Sequence, residues 1–340
     1  MRAAVFGDTG TIGLVDRDPP EPRPGWVRLA VSAAGICGSD LNLLYAHADA
    51  SRGVQPGHEV AGFVESVGDG VALASGASVA LEPLVPCGTC AWCRQGLRNL
   101  CPELKLCGFT RPGGLAEFVH VPADALHPLP PDLPPAVAAL AEPMAVCVRG
   151  TRLTDVALGE RVAILGAGTI GLLSIVTARA AGAAEIVVSG RYPHQREVAT
   201  ALGADAVFES ADALVAATGD QHVDVVIETV GGHADTLTEA VRTARSGGRI
   251  LMLGVFEGTP ALPGFEFFRK ELTLRASNCY GRECHHGDFE VPVMALPPVA
   301  RYADEIAPLV THSFKLDQVA EAFAAAADKR ARSIKVQVEP

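Results

Sequence analysis

Four cysteines share one short stretch, Cys87-Gly-Thr-Cys90-Ala-Trp-Cys93 followed by Cys101. Thiolates at Cys-x-x-Cys spacing fold inward around a tetrahedral ion, and zinc takes four of them at about 2.3 Å from each sulfur. Such a cage leaves no coordination position open, so this set is expected to hold structure and to perform no reaction. The alternative, a disulfide framework, is disfavoured. With nine cysteines, an odd number, and an N-terminus without a long apolar run, the chain reads as a reduced cytoplasmic protein.

A quieter set lies in Gly35-Ile-Cys37-Gly-Ser39-Asp40, Gly57-His58-Glu59 and Ala141-Glu142-Pro143. A catalytic zinc needs about three protein ligands and one open position. Cys37 and His58 offer sulfur and imidazole nitrogen, while Glu59 and Glu142 offer carboxylates that can bind or swing away. Each residue alone has a plain structural explanation: a cysteine in a Gly-rich loop is commonly packing, and a single histidine is commonly just hydrogen-bonded. Their value comes from the third group.

That group is Gly166-Ala-Gly168-Thr169-Ile170-Gly171, which follows the apolar run Val162–Leu165 and opens a helical pattern. The first glycine allows the tight turn, the second lets backbone approach a pyrophosphate, and the third permits close helix packing. About twenty residues on, NAD sites place an acid against the ribose hydroxyls. Here the stretch reads Ser189-Gly190-Arg191-Tyr192, without the acid. Arg191, backed by Ser189 and Arg196, is the candidate clamp for a 2′-phosphate, which favours NADP over NAD. The alternative is a solvated Arg191 and loose use of NAD. Thr229, Val230, Leu253 and Gly254 complete the expected cofactor contacts.

These residues need two kinds of scaffold. Residues 1 to about 145 carry short apolar runs such as Val27–Val31 and Val60–Val64 between Gly and Pro, the pattern of strands in an irregular barrel. A helical run is expected over Ala136–Arg152. From Arg161 strands and helices alternate, at Val162–Leu165, Ile170–Ala181, Glu185–Ser189, His194–Leu202, Val223–Ile227 and Arg249–Leu253, which predicts a doubly wound parallel sheet. The tail reads as a helix over Val319–Ala327 and a strand over Ser333–Val338. The chain's 340 residues suffice for two domains, and a net charge of −11 argues against nucleic acid or acidic membranes as partners. No apolar stretch is long enough to span a bilayer.

Taken in order, these motifs are those of a known group. The chain resembles the zinc-dependent medium-chain dehydrogenases/reductases of the alcohol dehydrogenase superfamily, in the style of the sorbitol, threonine and other polyol dehydrogenases. The resemblance covers essentially all of the chain. It implies an α/β protein: a GroES-like β-barrel catalytic domain from 1–149 and 278–340, with a structural zinc lobe at 84–103, and a Rossmann domain at 150–277. It implies that Cys37, His58, Glu59 and Glu142 lie at a catalytic zinc, with Ser39, Glu59 and Glu142 as catalytic groups, and that Cys87, Cys90, Cys93 and Cys101 hold a second zinc. Whether Glu59 or Glu142 binds the ion directly stays open.

The implied reaction is hydride transfer between NADP or NAD and a secondary alcohol, polyol or amino alcohol, by a homo-oligomer joined through the last Rossmann strand near Glu271–Ala276. Relatives often carry a histidine three residues after Ser39; here it is Asn42, which cannot accept a proton at neutral pH. Pocket walls are expected from Tyr45, Phe109 and residues near Asn278. The stretch Asn278–His286, with Cys284, His285 and His286, is expected to be a solvent-facing loop rather than a third metal site. The rivals are a zinc-ribbon binding module, a zinc-independent quinone or enoyl reductase, and a catalytically silent relative.

Overall fold

The two textures of the sequence become two sheets. In the computed structural model the described residues are 1–8, 10–46, 51–130, 132–218, 223–281, 283–285, 288–290 and 296–340. The chain divides into two compact units, Met1–Glu142 with Gly281–Pro340, and Pro143–Tyr280. The sequence had suggested breaks at 149/150 and 277/278.

In the first unit a hairpin, β1 (Arg2–Phe6) with β2 (Ile12–Asp16), precedes a seven-stranded sheet. Its early strands are β3 (Trp26–Ile36), β4 (Glu59–Val67), β5 (Ser78–Leu81), β8 (Phe118–Pro122) and β9 (Leu126–Pro128). Between them the short pair β6 (Leu84–Val85) and β7 (Lys105–Leu106) brackets the cysteine lobe. The strands run longer than the apolar motifs Val27–Val31 and Val60–Val64 suggested, because backbone pairing continues past the last large side chain.

The tail completes this sheet. β18 (Val310–Lys315) runs parallel to β19 (Lys335–Glu339), and β19 pairs antiparallel with β3. Leu316, Val319 and Phe323 share one buried core with Val27, Leu29, Val60 and Val79, and the rings of Phe6 and Phe323 meet edge to face at 5.8 Å. Both chain ends therefore build one core.

The second unit is a six-stranded parallel sheet of order β12-β11-β10-β13-β14-β15. The strands are β10 (Arg161–Leu165), β11 (Glu185–Ser189), β12 (Ala206–Phe208), β13 (Val223–Glu228), β14 (Ala244–Met252) and β15 (Thr273–Ala276). Val162, Ile164, Val187 and Val226 are fully buried, the pattern of strands covered on both faces. A small antiparallel pair, β16 (Glu283–His285) with β17 (Asp288–Glu290), follows in the first unit.

The helical run expected over Ala136–Arg152 is broken into Pro135–Ala138 and Ala141–Leu153. Pro143 has no N–H for the carbonyl four residues back, so the pattern cannot continue as one helix. Tyr280 is only 2% exposed, which overturns the solvent-facing reading of the 278–286 stretch at that position. His286 and the side chains of Cys284 and His285 lie outside the described residues.

Candidate active site and metal centres

Strand register assembles the first cluster. Gly35 in β3 stands opposite Glu59 in β4, and Ile36 stands opposite Val336 in β19. Cys37 therefore emerges just past β3, His58 sits just before β4, and Lys335 enters from the far end of the chain. The donor atoms of Cys37, His58 and Glu59 lie within 4.8 Å of one another.

Asp40, fully buried on the first turn of the helix Gly38–Tyr45, orients this set. Its Oδ2 accepts from the Cys37 backbone N–H at 2.9 Å, and its Oδ1 faces His58 Nδ1 at 3.6 Å. That leaves His58 Nε2 as the nitrogen to offer an ion, the usual carboxylate–histidine–metal arrangement. The Lys335 ammonium hydrogen-bonds Glu59 Oε1 at 2.7 Å and the Ile36 carbonyl at 3.1 Å. Glu59 Oε2, though also close to the ammonium, has no hydrogen-bond partner. Gly35 is required here, since a Cβ at that position would stand 2.0 Å from Glu59 Oε2.

The electrostatics follow from these neighbours. Burial pulls the His58 pKa down, but the Asp40 carboxylate and the Cys37 sulfur outweigh it and hold it well above the ordinary value. Lys335 behaves alike: burial lowers its pKa, and Glu59 and Cys37 raise it further. A buried imidazole held above its ordinary value reports the negative groups beside it. With one sulfur, one imidazole and one carboxylate, the donor set fits zinc with a position left open.

The remaining expected site residues are placed differently. Glu142, half-buried on the first turn of the helix Ala141–Leu153, is not part of the 4.8 Å group. Ser39 is half-exposed on the first turn of its helix, and the Phe109 ring lies 5.4 Å from that of His58. Tyr45 is 48% exposed.

Cys87, Cys90, Cys93 and Cys101 form the other group whose donor atoms lie within 4.8 Å. Backbone N–H groups already point at the sulfurs, from Cys87 to Cys101 Sγ at 3.4 Å, from Cys90 to Cys87 Sγ at 3.4 Å and from Cys93 to Cys90 Sγ at 3.5 Å. Donors at Thr89 and Cys90 lower the Cys87 pKa to about 6, while burial and the neighbouring thiols push Cys93 up to about 12. Four crowded sulfurs cannot all ionise without a cation between them, so this donor set also fits zinc.

The second unit presents the glycine turn. Gly166 follows β10 at φ +104°, and a Cβ there would meet Thr229 Oγ1 and Val230 Cγ2, each at 2.7 Å. A Cβ on Gly171 would stand 1.9 Å from the Gly166 carbonyl oxygen, whereas one on Gly168 would meet nothing within 4 Å. The open space at Gly168 lies at the start of the helix Thr169–Ala181, whose N-cap offers no side chain to its first N–H groups. A helix N-terminus without a side-chain cap and with open space at Gly168 fits a pyrophosphate. At the end of β11, Gly190 is hemmed in by the Ala167 Cβ, 2.8 Å from where its own would be. Arg191 is exposed, and Arg196 Nη1 donates to the Gly190 and Arg191 carbonyls at 2.8 and 2.9 Å, shaping the loop with the hydrogens expected to face a ligand.

Residues 23–131 match the family described as alcohol dehydrogenase GroES-like domain, and residues 169–295 match the zinc-binding dehydrogenases. The chain is 32% identical over 331 residues to the 2-dehydro-3-deoxy-L-galactonate 5-dehydrogenase of Pseudoalteromonas atlantica, covering 95% of this chain and 94% of that one. The chain belongs to the zinc-binding dehydrogenases. This dehydrogenase is also 33% identical to the L-threonine 3-dehydrogenase of Pyrococcus abyssi, over 91% of its own length and 90% of the relative's. Its fold superposes with a TM-score of 0.88, at 32% identity and over 100% and 99% of the two chains, on a zinc-binding dehydrogenase from Sinorhizobium meliloti whose crystal structure is bound to NADP.

Two residues of the dehydrogenase's site were not expected there from the sequence. Lys335 reaches Glu59 across 276 positions, and only the β19–β3–β4 register brings them together. Asp40 stood inside a quoted motif, but its orienting role needed the fold. The binding-module rival falls with the family match, and no described helix is long and apolar enough to cross a membrane.

Proposed function

We propose that this dehydrogenase reversibly oxidises a secondary alcohol of the polyol or amino-alcohol class to its ketone, with NADP favoured over NAD. The cluster of half-buried Cys37 with buried His58 and Glu59, backed by Asp40 and Lys335, is the observation that carries this reading. When bound, zinc supplies a Lewis acid for the alcohol oxygen and the nicotinamide takes the hydride. Cys37 and His58 would hold the ion, with the Glu59 carboxylate as the third donor. Asp40 would keep His58 Nε2 turned toward it. Lys335 offsets the Glu59 charge and holds its carboxylate in place. Ser39 Oγ accepts the alcohol proton and passes its own to water, because the Asn42 amide cannot take that part.

Cys87, Cys90, Cys93 and Cys101 would hold a second, structural zinc. The variant His58→Ala is therefore expected to carry one zinc per chain instead of two by metal analysis, and to turn over at background. Full activity in that variant would overturn the assignment. The zinc-independent reductase reading has no use for the Cys37–His58–Glu59 cluster.

The cofactor preference rests on the missing acid. Gly190 leaves no room for a carboxylate without displacing Ala167, and Arg196 presents the exposed Arg191 on a fixed loop. The variant Arg191→Ala should weaken NADP binding by about ten- to a hundredfold, the worth of one charge-assisted phosphate contact, and leave NAD unchanged. Equal loss for both cofactors in a fluorescence titration would remove the clamp. The substrate class is supported by the relatives named for 2-dehydro-3-deoxy-L-galactonate and L-threonine. A panel of polyols, amino alcohols and sugar acids tests it.

A homo-oligomer is supported by the free edge of β15, which pairs only with β14 among the described residues. Beside it Phe265 and Phe268, on one face of the helix Gly264–Arg269, are 80% and 78% exposed. The Cys-x-x-Cys cluster, which would bind its ion only as thiolates, supports a reducing, cytoplasmic setting.

A further inference from the structure

Glu228 ends β13 wholly buried, and nothing in the proposed chemistry uses it. Its Oε1 accepts three hydrogen bonds, from the Val230 N–H at 2.7 Å, the Gly231 N–H at 2.9 Å and Thr236 Oγ1 at 2.7 Å. Its main-chain oxygen accepts two more, from the Leu253 and Gly254 N–H groups at 2.9 and 3.1 Å. Oε2 has no partner, and it lies so close to Gly254 that a Cβ there would stand 2.4 Å away. The loops themselves are sewn together where the Gly232 N–H donates to the Val255 carbonyl at 2.7 Å. The side chain thus fixes the shape of the loop after β13, while the main-chain carbonyl of the same residue ties that loop to the one after β14.

These loops occupy a particular place in the sheet. The strand order runs outward in opposite directions from β10 and β13, which makes their junction the switch point across which a dinucleotide lies. The glycine turn after β10 is the pyrophosphate end, and the Gly190–Arg191 loop after β11 serves the adenosine half. The nicotinamide half then falls over the carboxyl ends of β13 and β14. Thr229 Oγ1 ties this side to the glycine turn by donating to the Leu165 carbonyl at 2.8 Å. A carboxylate is costly to bury, and a simple packing role needs none.

We infer that Glu228 is a positioning residue for the nicotinamide half of the cofactor: its side chain holds the 229–231 loop in the shape that half requires, packed against Gly254. The inference rests on the nicotinamide-dependent function proposed above. The test is to titrate wild type, Glu228→Gln, Glu228→Asp and Glu228→Ala, all zinc-loaded, with NADP and with 2′-phospho-ADP-ribose, which lacks the nicotinamide ring. Binding is followed by intrinsic fluorescence and folding by thermal melting.

Glu228→Ala and Glu228→Asp should weaken NADP at least about tenfold and leave the ring-less fragment within about twofold, while Glu228→Gln, which keeps the Oε1 acceptor, recovers most of the loss. In steady state the cofactor KM should rise more than kcat falls. If Glu228→Ala does not fold, the Asp and Gln pair carries the comparison. Equal weakening of NADP and fragment, or no weakening in a folded variant, overturns the inference alone. A wild type that binds neither NADP nor NAD overturns the proposed function, and the inference with it.

Discussion

Lys335 and Glu59 form the most consequential contact made by single side chains. Both are nearly inaccessible, and the ammonium answers a carboxylate that would otherwise face a sulfur, an imidazole and Asp40. Removing one partner of a buried pair leaves the other charge uncompensated, at a cost of about 3–5 kcal/mol. Lys335→Met should lower the unfolding free energy by about that much in urea denaturation, while the cysteine lobe keeps its zinc. A loss below about 1 kcal/mol would show that Glu59 does not depend on Lys335. Lys270 shows the same economy elsewhere. Fully buried, it donates to the Val241, Arg242 and Ala244 carbonyls at 3.0, 2.9 and 2.8 Å and so closes the end of the helix Thr236–Thr243. Its charge serves unpaired helix carbonyls rather than a reaction.

Elements decide what the glycines do. At the turn between β10 and the helix Thr169–Ala181, three glycines that look equivalent in sequence have different neighbours. Gly171 packs against the Gly166 carbonyl, and Gly168 faces open space. Gly171→Ala should therefore disrupt the strand–helix packing and lower the melting temperature. Gly168→Ala should melt like wild type and yet bind the dinucleotide about tenfold or more weakly, because its methyl group projects where the pyrophosphate approaches. Similar cofactor affinity for Gly168→Ala and wild type, measured by calorimetry, would remove the pyrophosphate from that turn. The helix boundary at Pro143 is a comparable case. One missing N–H ends a pattern that hydropathy alone would have continued, and it leaves Glu142 on a first turn.

At the scale of the whole molecule, the return of the chain to its first sheet is the decisive event. Residues beyond Gly281 supply β18, β19 and the helix Val319–Ala327 to the core laid down by β3 and β4. The second unit leaves an edge strand and two phenylalanines in solvent, an apolar surface that a second copy would cover. Pairing two β15 edges would continue the sheet from one protomer into the next. The double substitution Phe265→Asp with Phe268→Asp should then convert the assembly to monomer in sedimentation velocity, with both zincs retained. An unchanged mass would place the interface elsewhere.

The sequence by itself determined whatever depends on local spacing. The Cys-x-x-Cys steps, the glycine turn behind an apolar strand and the strand–helix alternation are each written within a few dozen residues, and short-range geometry has few other solutions for them. The strands β10, β11 and β13 accordingly lie within one residue of where the pattern put them, whereas β14 begins five residues before Arg249 and β12 had no signal. Only the tertiary structure decided the rest. The partnership of Lys335 with Glu59 and the bonds from Leu253 and Gly254 to the Glu228 carbonyl depend on register between segments far apart in the chain, and the turn of Arg196 toward the Gly190 and Arg191 carbonyls appears only once the loop after β11 is folded. Spacing encodes what one turn or one strand can hold. It carries no information on which distant strand will be the neighbour, and the charge of the active pocket is set by those neighbours.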